Sequence, residues 1–450
     1  MASMRQNDHV KESQDTRWLT PCLRMNGFQK MMLEWDRIHP YNAVHAVALA
    51  GRGDVLALRG AVQRACAAAG IGELVVDRKH RTYRYRSVED IQIHQVPGGR
   101  SAENTLHTII SEEMNKPFPT QPHFPLRWIV FDDSENDAHY LVLVYHHVAA
   151  DANSIQALLK LVLQEYLGLP RSEDSGLHTF LSNQGNLYRR GSRPWSQVRS
   201  LARAIQQCFR LRHAHRMHED RAGGSETSFL VRSVPDGTLD RLRVGCRTEG
   251  AGLNDVFLAA LASALALLTP ARKTHRHRRK IALATVLSQR KWAKEDLSDL
   301  FGVFLTEAAM LIDKPDAGVR ETLAQIVPQT RRLKTPHGAP ELSWRFWFVK
   351  YIWPALRIPH SVVSYRKVFP LCAGVSTVSV DETRSGEAMQ RVRRYIRACP
   401  PGPAMPILLS PTSCKGRLEL CLTFRRTCLT EAQARALLDS VVNLLGEFAG

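Results

Sequence analysis

The run from Leu141 to Tyr166 restricts the fold more than any other stretch of the chain. It opens with LVLVYHH, which is apolar and β-prone up to its two histidines. Ile155, Leu158, Leu159, Val162, Leu163 and Tyr166 then fall at the i, i+3, i+4, i+7, i+8 and i+11 spacing of one helical face. The pattern predicts a strand, a short loop and a helix, with HHVAAD, residues 146–151, at the junction. A strand that feeds a packed helix within a few residues belongs to a layered α/β arrangement.

The same mixture recurs on both sides. Asn42 to Leu49 reads as a strand. Asp54 to Ala69 reads as a helix, with Val55, Leu58, Val62, Ala65 and Ala69 on one face and Gly70 as its stop. DRKHRTYRYR, residues 77–86, reads as a turn and a strand. Residues 170–228 are richer in Arg, Ser, Gly and His and read as a linker holding one basic helix, Val198 to Met217. Beyond it, Asn254 is placed to cap a helix running to Leu268, and Ile281 to Leu287 reads as a strand. Leu418, Leu420, Leu422 and Phe424 alternate on another strand. Thr430 and Gln433 form a capping box for a last helix whose buried face is Ala434, Leu437, Leu438, Val441, Val442 and Leu445. The expected organisation is a flexible arm over 1–18, an N-terminal lobe over 19–180 that carries HHVAAD, a basic linker and helix over 181–227, and a C-terminal lobe over 228–450. Both lobes are α/β.

Charge narrows the partners. The chain has 450 residues, with 61 Lys and Arg against 43 Asp and Glu, a net charge of +18. Such a surface favours phosphates, acidic proteins, nucleic acid or anionic lipid. No nucleic-acid-binding motif accompanies the charge, so nucleic acid is not the expected partner. The nine cysteines contain no C-x-x-C pair, which argues against a zinc ribbon or a disulfide framework and for a reducing compartment. The N-terminus has no apolar signal-like stretch. The longest uncharged apolar run, Val256 to Leu268, is shorter than the ~18 residues of a membrane span. A cytoplasmic protein is expected.

On a strand, neighbouring residues face opposite ways, so His147 shares a face with Tyr145 and Leu143, and His146 shares one with Val144. Only one of the pair readily faces a given cleft. A histidine at the end of a buried strand suits general-base work, because its pKa lies near neutrality. Two plainer readings stand beside this one: a structural buried imidazole, and Asp151 as an ordinary helix N-cap.

At this motif the chain resembles the condensation-domain and chloramphenicol acetyltransferase-like acyltransferase superfamily, whose mark is His-His-x-x-x-Asp-Gly between a strand and a helix. Other segments are similar in the same order: MNGFQKMMLEWDRIHPYNAVHAVALAG, KPFPTQPHFPLRWIVF, LNDVFLAALASALALL, LATVLSQRKWAKEDLSDLFGVFLTEAAM and GRLELCLTFRRTCLTEAQARALLDSVVNLL. The resemblance spans residues 20–450. It implies two acetyltransferase-like lobes, each a mixed sheet with packed helices, forming a V with a tunnel between them. It implies a stand-alone acyltransferase that moves an acyl group from a thioester to a hydroxyl or amine. His147 would be the general base. His146, Asp151 and Arg290 would be structural, with Asp151 pinned by Arg290. No bound cofactor and no metal are implied; acyl-CoA or a phosphopantetheinyl thioester is the co-substrate, and an acidic carrier protein is a further partner. The alternative is an inactive condensation-like scaffold or carrier-binding module. Three departures bear on it. Ala152 stands where the motif has Gly, which strains the backbone if φ is positive. FLTE, Phe304 to Glu307, lacks the family's Asn, and the Asp-Phe-Gly-Trp-Gly element has no counterpart.

Other candidates are weaker. Ser376 and Thr377 read as polar strand residues before they read as oxyanion donors. His213, His215 and His218 have metal-like spacing, but with Arg210, Arg212 and Arg216 among them they read as a solvated face. THRHRRK, residues 274–280, reads equally as a surface loop and as a contact for coenzyme A phosphates or an acidic carrier protein. The aromatic cluster of Trp344, Phe346, Trp347, Phe348, Tyr351, Trp353 and Tyr365 reads as a core helix, an acyl-channel wall or an interfacial anchor. With Lys350, Arg357, Arg366 and the basic helix carrying Arg199 and Arg203, the last reading places the protein peripherally at the inner membrane face.

Overall fold

The computed structural model describes residues 17–99, 101–119, 122–170, 176–179, 194–220, 226–293, 296–334, 353–357, 359–380 and 382–450. The first part of the chain forms β1 (Leu23–Arg24), α1 (Gly27–Asp36), β2 (Asn42–Ala50), α2 (Val55–Ala69), β3 (Glu73–Asp77), β4 (Thr82–Arg86), β5 (Ile93–Gln95), α3 (Ala102–Asn115), β6 (Leu126–Asp133), β7 (Ala138–His146) and α4 (Ala152–Tyr166). The remainder forms α5 (Pro194–Leu211), β8 (Thr227–Ser233), α6 (Thr238–Thr248), α7 (Leu253–Leu268), β9 (Ile281–Ser288), β10 (Leu305–Ile312), α8 (Val319–Leu333) and α9 (Val362–Val368). It ends with β11 (Ala373–Val375), β12 (Val378–Val380), the bent α10 (Glu382–Gln390), β13 (Arg394–Ala398), β14 (Ile407–Cys414), β15 (Arg417–Arg425) and α11 (Glu431–Ala449).

Two mixed sheets dominate. The first runs β13-β2-β7-β6-β5, and the second runs β10-β9-β11-β14-β15-β8 with β12 beside β14. β1, β4 and β3 make a small third sheet. The first sheet packs against α2 and α4, where Leu58, Val62, Leu141, Leu143, Ile155 and Leu159 are fully buried. The second packs against α7, α8 and α11, where Phe257, Leu261, Leu283, Met310, Ile326 and Leu438 form the core. This is the two-lobed α/β architecture the sequence leads one to expect.

Local signals explain most element ends. Asp54 accepts hydrogen bonds from the Leu56 and Ala57 N–H groups at 2.9 Å and starts α2, and Gly70 ends it with φ 69°. Thr430 and Gln433 form the expected box at α11. Three expectations are corrected. The helix after the first lobe is α5, and it stops at Leu211 rather than Met217, so His213, His215 and His218 follow it instead of sharing its face. Asn254 is inside α7, not at its cap: Asp255 accepts from the Gly252 N–H at 3.0 Å, so Gly252 is the cap, and the Asn254 amide turns to Thr285. Finally, β13 pairs antiparallel with β2 (Arg397 opposite His45), so the segment 228–450 is not a self-contained lobe; it lends a strand to the sheet of the first.

Of the aromatic cluster, Trp344, Phe346, Trp347, Phe348 and Tyr351 lie outside the described residues, as does Lys350. Trp353 and Tyr365 are buried against each other and against Trp35 and Phe369. Arg366 is buried and paired with Glu219 at 3.0 Å. These three side chains are core residues, not surface anchors. Arg203 and Arg210 on α5 are exposed, as is Arg357. Among the described residues, no single helix is long and apolar enough to cross a membrane, and the described cysteines are free thiols.

Candidate active site

β7 ends at His146, and His147 to Ala150 turn the chain into α4. The two histidines face different ways. His147 lines a cavity of about 120 Å³ whose walls come from both sheets, including Ser288, Glu307, Ser376, Arg397 and Cys399. His146 lines a second cavity, about 740 Å³, under the β3–β4 hairpin.

His147 is held tightly. Its Nδ1 lies 2.9 Å from the Ala150 carbonyl oxygen. A carbonyl only accepts, so the proton resides on Nδ1, and Nε2 keeps a lone pair. The ring stacks on Tyr41 with centroids 5.6 Å apart and meets the Tyr145 edge at 5.4 Å. Burial pushes the imidazole pKa below its usual value, partly offset by the Ala150 hydrogen bond and the nearby Asp151 carboxylate, with Arg397 pushing the same way as burial. A neutral, oriented imidazole with an unprotonated Nε2 can accept a proton at neutral pH.

His146 has a different setting. Its Nε2 is 3.5 Å from the Asp36 carboxylate, and its Nδ1 is 3.1 Å from His123 Nε2. Phe118 stacks on the ring at 5.4 Å. Burial raises the Asp36 pKa, but His146, the Tyr41 N–H and Arg78 together outweigh it and hold the carboxyl below its usual value. Burial and the neighbouring His146 push His123 down to about 4. His146 therefore ties α1 to Phe118 and His123, away from the His147 cavity.

Asp151 is fully buried and does two jobs. As the N-cap of α4 it accepts from the Ser154 N–H at 2.9 Å. It also pairs with Arg290 at 3.0 Å and accepts from the Phe304 N–H at 2.9 Å. Arg290 further donates to Ser154 Oγ at 2.8 Å and to the Leu297 and Leu300 carbonyl oxygens. Asp151 and Arg290 thus come together as the resemblance implies, and the pair joins the His147 turn to the β9–β10 connection. Ala152 opens α4 and is not among the positive-φ residues, so no strain attends the replacement of the motif Gly.

Thr377 is engaged: its Oγ1 is 3.0 Å from Asn254 Oδ1, which accepts its hydroxyl proton. Ser376 Oγ accepts from Arg397 at 3.1 Å, which leaves its own hydroxyl hydrogen to donate elsewhere. Arg397 and Glu307 are cavity residues that sequence reasoning missed. In RYIRACPP the alternation of Tyr395 and Arg397 with Ile396 and Ala398 signals a strand, but not which face is buried.

A family model described as Condensation domain matches residues 32–337. No curated protein sequence matches the chain. Among solved structures, the trichothecene 15-O-acetyltransferase of Fusarium sporotrichioides aligns with a TM-score of 0.71 at 13% identity, over 96% of this chain and 97% of that one. The first condensation domain of the calcium-dependent antibiotic synthetase aligns with a TM-score of 0.69 at 12% identity, over 96% of each chain. The EpoB cyclization-docking bidomain of Sorangium cellulosum aligns with a TM-score of 0.68 at 14% identity, over 96% of this chain and 87% of that one. At these identities the likeness is one of fold.

Proposed function

The chain belongs to the condensation-domain family, and we propose that it is a stand-alone acyltransferase that moves an acyl group from a thioester to a hydroxyl or amine, with His147 as the base. The observation that carries this reading is the fixed tautomer of His147 in a cavity walled by both sheets. The acceptor O–H or N–H gives its proton to Nε2 as its lone pair attacks the thioester carbonyl. The tetrahedral intermediate then collapses, the C–S bond breaks, and the thiolate takes the proton back from His147. A thiol is a good leaving group, so positioning and one base suffice. A neighbour of the same fold is named as an acetyltransferase, which agrees with group transfer.

The donor in this reading is acyl-CoA or a carrier-bound phosphopantetheinyl thioester. Its phosphates or an acidic carrier would find cations in the loop before β9, where Arg276 and Arg279 are exposed. That loop sits at the start of β9, whereas Val286 and Ser288 near its end line the cavity. Strand rise puts the two roughly 20 Å apart, so the loop would hold the donor's far end, not its reacting end.

Thiol release tests this reading. With a panel of acyl-CoAs and candidate acceptors, release should depend on the acceptor. The pH profile should follow His147. Because burial lowers its pKa, the neutral base persists below the usual ~6.5 of imidazole, and kcat/KM should fall only at lower pH. Acceptor-independent release, or a fall that begins above pH 7, counts against His147 as the base.

A further inference from the structure

Arg397 is 1% exposed, and among the described residues no carboxylate lies within ion-pair distance of it. Its polar partners are two hydroxyls, a cysteine sulfur and a carbonyl. Nε donates to Thr412 Oγ1 at 3.5 Å, and Nη1 donates to Ser376 Oγ at 3.1 Å and Cys399 Sγ at 3.2 Å. Nη2 donates to the Ser376 carbonyl oxygen. That uses four of the five guanidinium N–H groups and leaves one on Nη2. An arginine stays charged in proteins, and a buried charge is costly unless it is paired. Of the other buried arginines, Arg272 pairs with Asp316 and Arg366 with Glu219, whereas Arg425 donates only to Thr227 Oγ1 and the Pro401 carbonyl oxygen and lines no part of this cavity. Arg397 differs from them in lining the His147 cavity, together with Ser376 and Cys399.

We propose that Arg397 anchors a carboxylate of the molecule that enters the His147 cavity, so that this substrate is an organic acid. The inference rests on the acyltransferase reading, because it assigns the anion to a substrate of that site. The remaining Nη2–H and the Ser376 hydroxyl supply two donors for one carboxylate. The acid group would fix the distance between the substrate's reacting end and Nε2 of His147. A neutral isostere would leave the guanidinium with no carboxylate in ion-pair contact, which a site built this way discriminates against strongly.

Binding tests this apart from catalysis. Benzoate and its neutral isostere benzamide are titrated at matched ionic strength into wild type, Arg397→Gln, Arg397→Lys and His147→Ala, by calorimetry and thermal shift. Benzoate should bind both wild type and His147→Ala in preference to benzamide. Arg397→Gln should weaken benzoate by about tenfold or more, the loss of a charge-assisted hydrogen bond, and Arg397→Lys should restore part of it. Arg397→Gln should melt no lower than wild type without ligand, because it removes an unpaired buried charge. Equal binding of benzoate and benzamide, or benzoate binding unchanged in a folded Arg397→Gln, overturns the proposal. If benzoate binding follows Arg397 while no acyl transfer is found, the anion subsite stands and the acyltransferase reading fails.

Discussion

Replacing His147 with Ala should lower the rate of acyl transfer by about 10²–10⁴, the usual cost of losing a general base. The argument is geometric. Nδ1 is committed to the Ala150 carbonyl, so Nε2 is the ring's basic atom, and the ring lines the cavity shared by both sheets. Its hydrogen-bond partner is a carbonyl three residues ahead, so the ring's loss should not disturb the fold beyond the turn. His146→Ala should behave in the opposite way. It breaks the contacts to Asp36 and His123 and leaves a gap under Phe118, which lowers the melting temperature. It should retain most of the transfer rate, because His146 faces the other cavity. Rates measured on folded variants at saturating donor separate the two. A His147→Ala enzyme as active as wild type would remove the mechanism.

The second large effect concerns stability. Asp151→Ala should destabilise the protein by about 3–5 kcal/mol, the cost of leaving one member of a buried pair alone. Arg290 would keep its carbonyl acceptors but lose its counter-charge, and α4 would lose its cap. Phe304 would also lose the acceptor of its N–H. Activity should fall with it, because the Ala150 carbonyl that orients His147 immediately precedes Asp151. Arg290→Met should cost less than Asp151→Ala, since it spares the cap, and the double variant should cost less than the sum of the two. Chemical denaturation measures all three. A change under ~1 kcal/mol in Asp151→Ala would mean the pair contributes no more than an exposed one.

Much of this was legible in the sequence because it rests on local signals. HHVAAD marks a strand–turn–helix junction by its own periodicity, and Asp151 is both a good N-cap type and a buried acid that needs a partner. The Arg290 pairing came from the resemblance alone; nothing in the local pattern of LSQRKW names a partner 139 residues away. The misreadings share one cause. Asn254 has good cap chemistry, but Thr285 on β9 and Thr377 between β11 and β12 claim its side chain, and Asp255 caps through Gly252. The end of α5 was overrun because Arg and His continue past Leu211 with helix-compatible spacing, while backbone contacts such as His215 N–H to the Lys280 carbonyl hold that stretch against β9. Arg397 was overlooked because its burial follows from β13 pairing with β2, a partnership that spans most of the chain.

The most direct test of the central claim follows the acyl group itself. The donor is an acyl-CoA labelled with ¹³C in its carbonyl, incubated with a carboxylate-bearing alcohol or amine acceptor, and products are resolved by mass spectrometry. The account predicts that the label appears in an ester or amide of the acceptor in equal amount to the thiol released, and that His147→Ala slows both together. Label found only in the free acid would show hydrolysis without transfer, and label remaining wholly on coenzyme A across a broad donor and acceptor panel would show a condensation fold that does no transfer; either result contradicts the account.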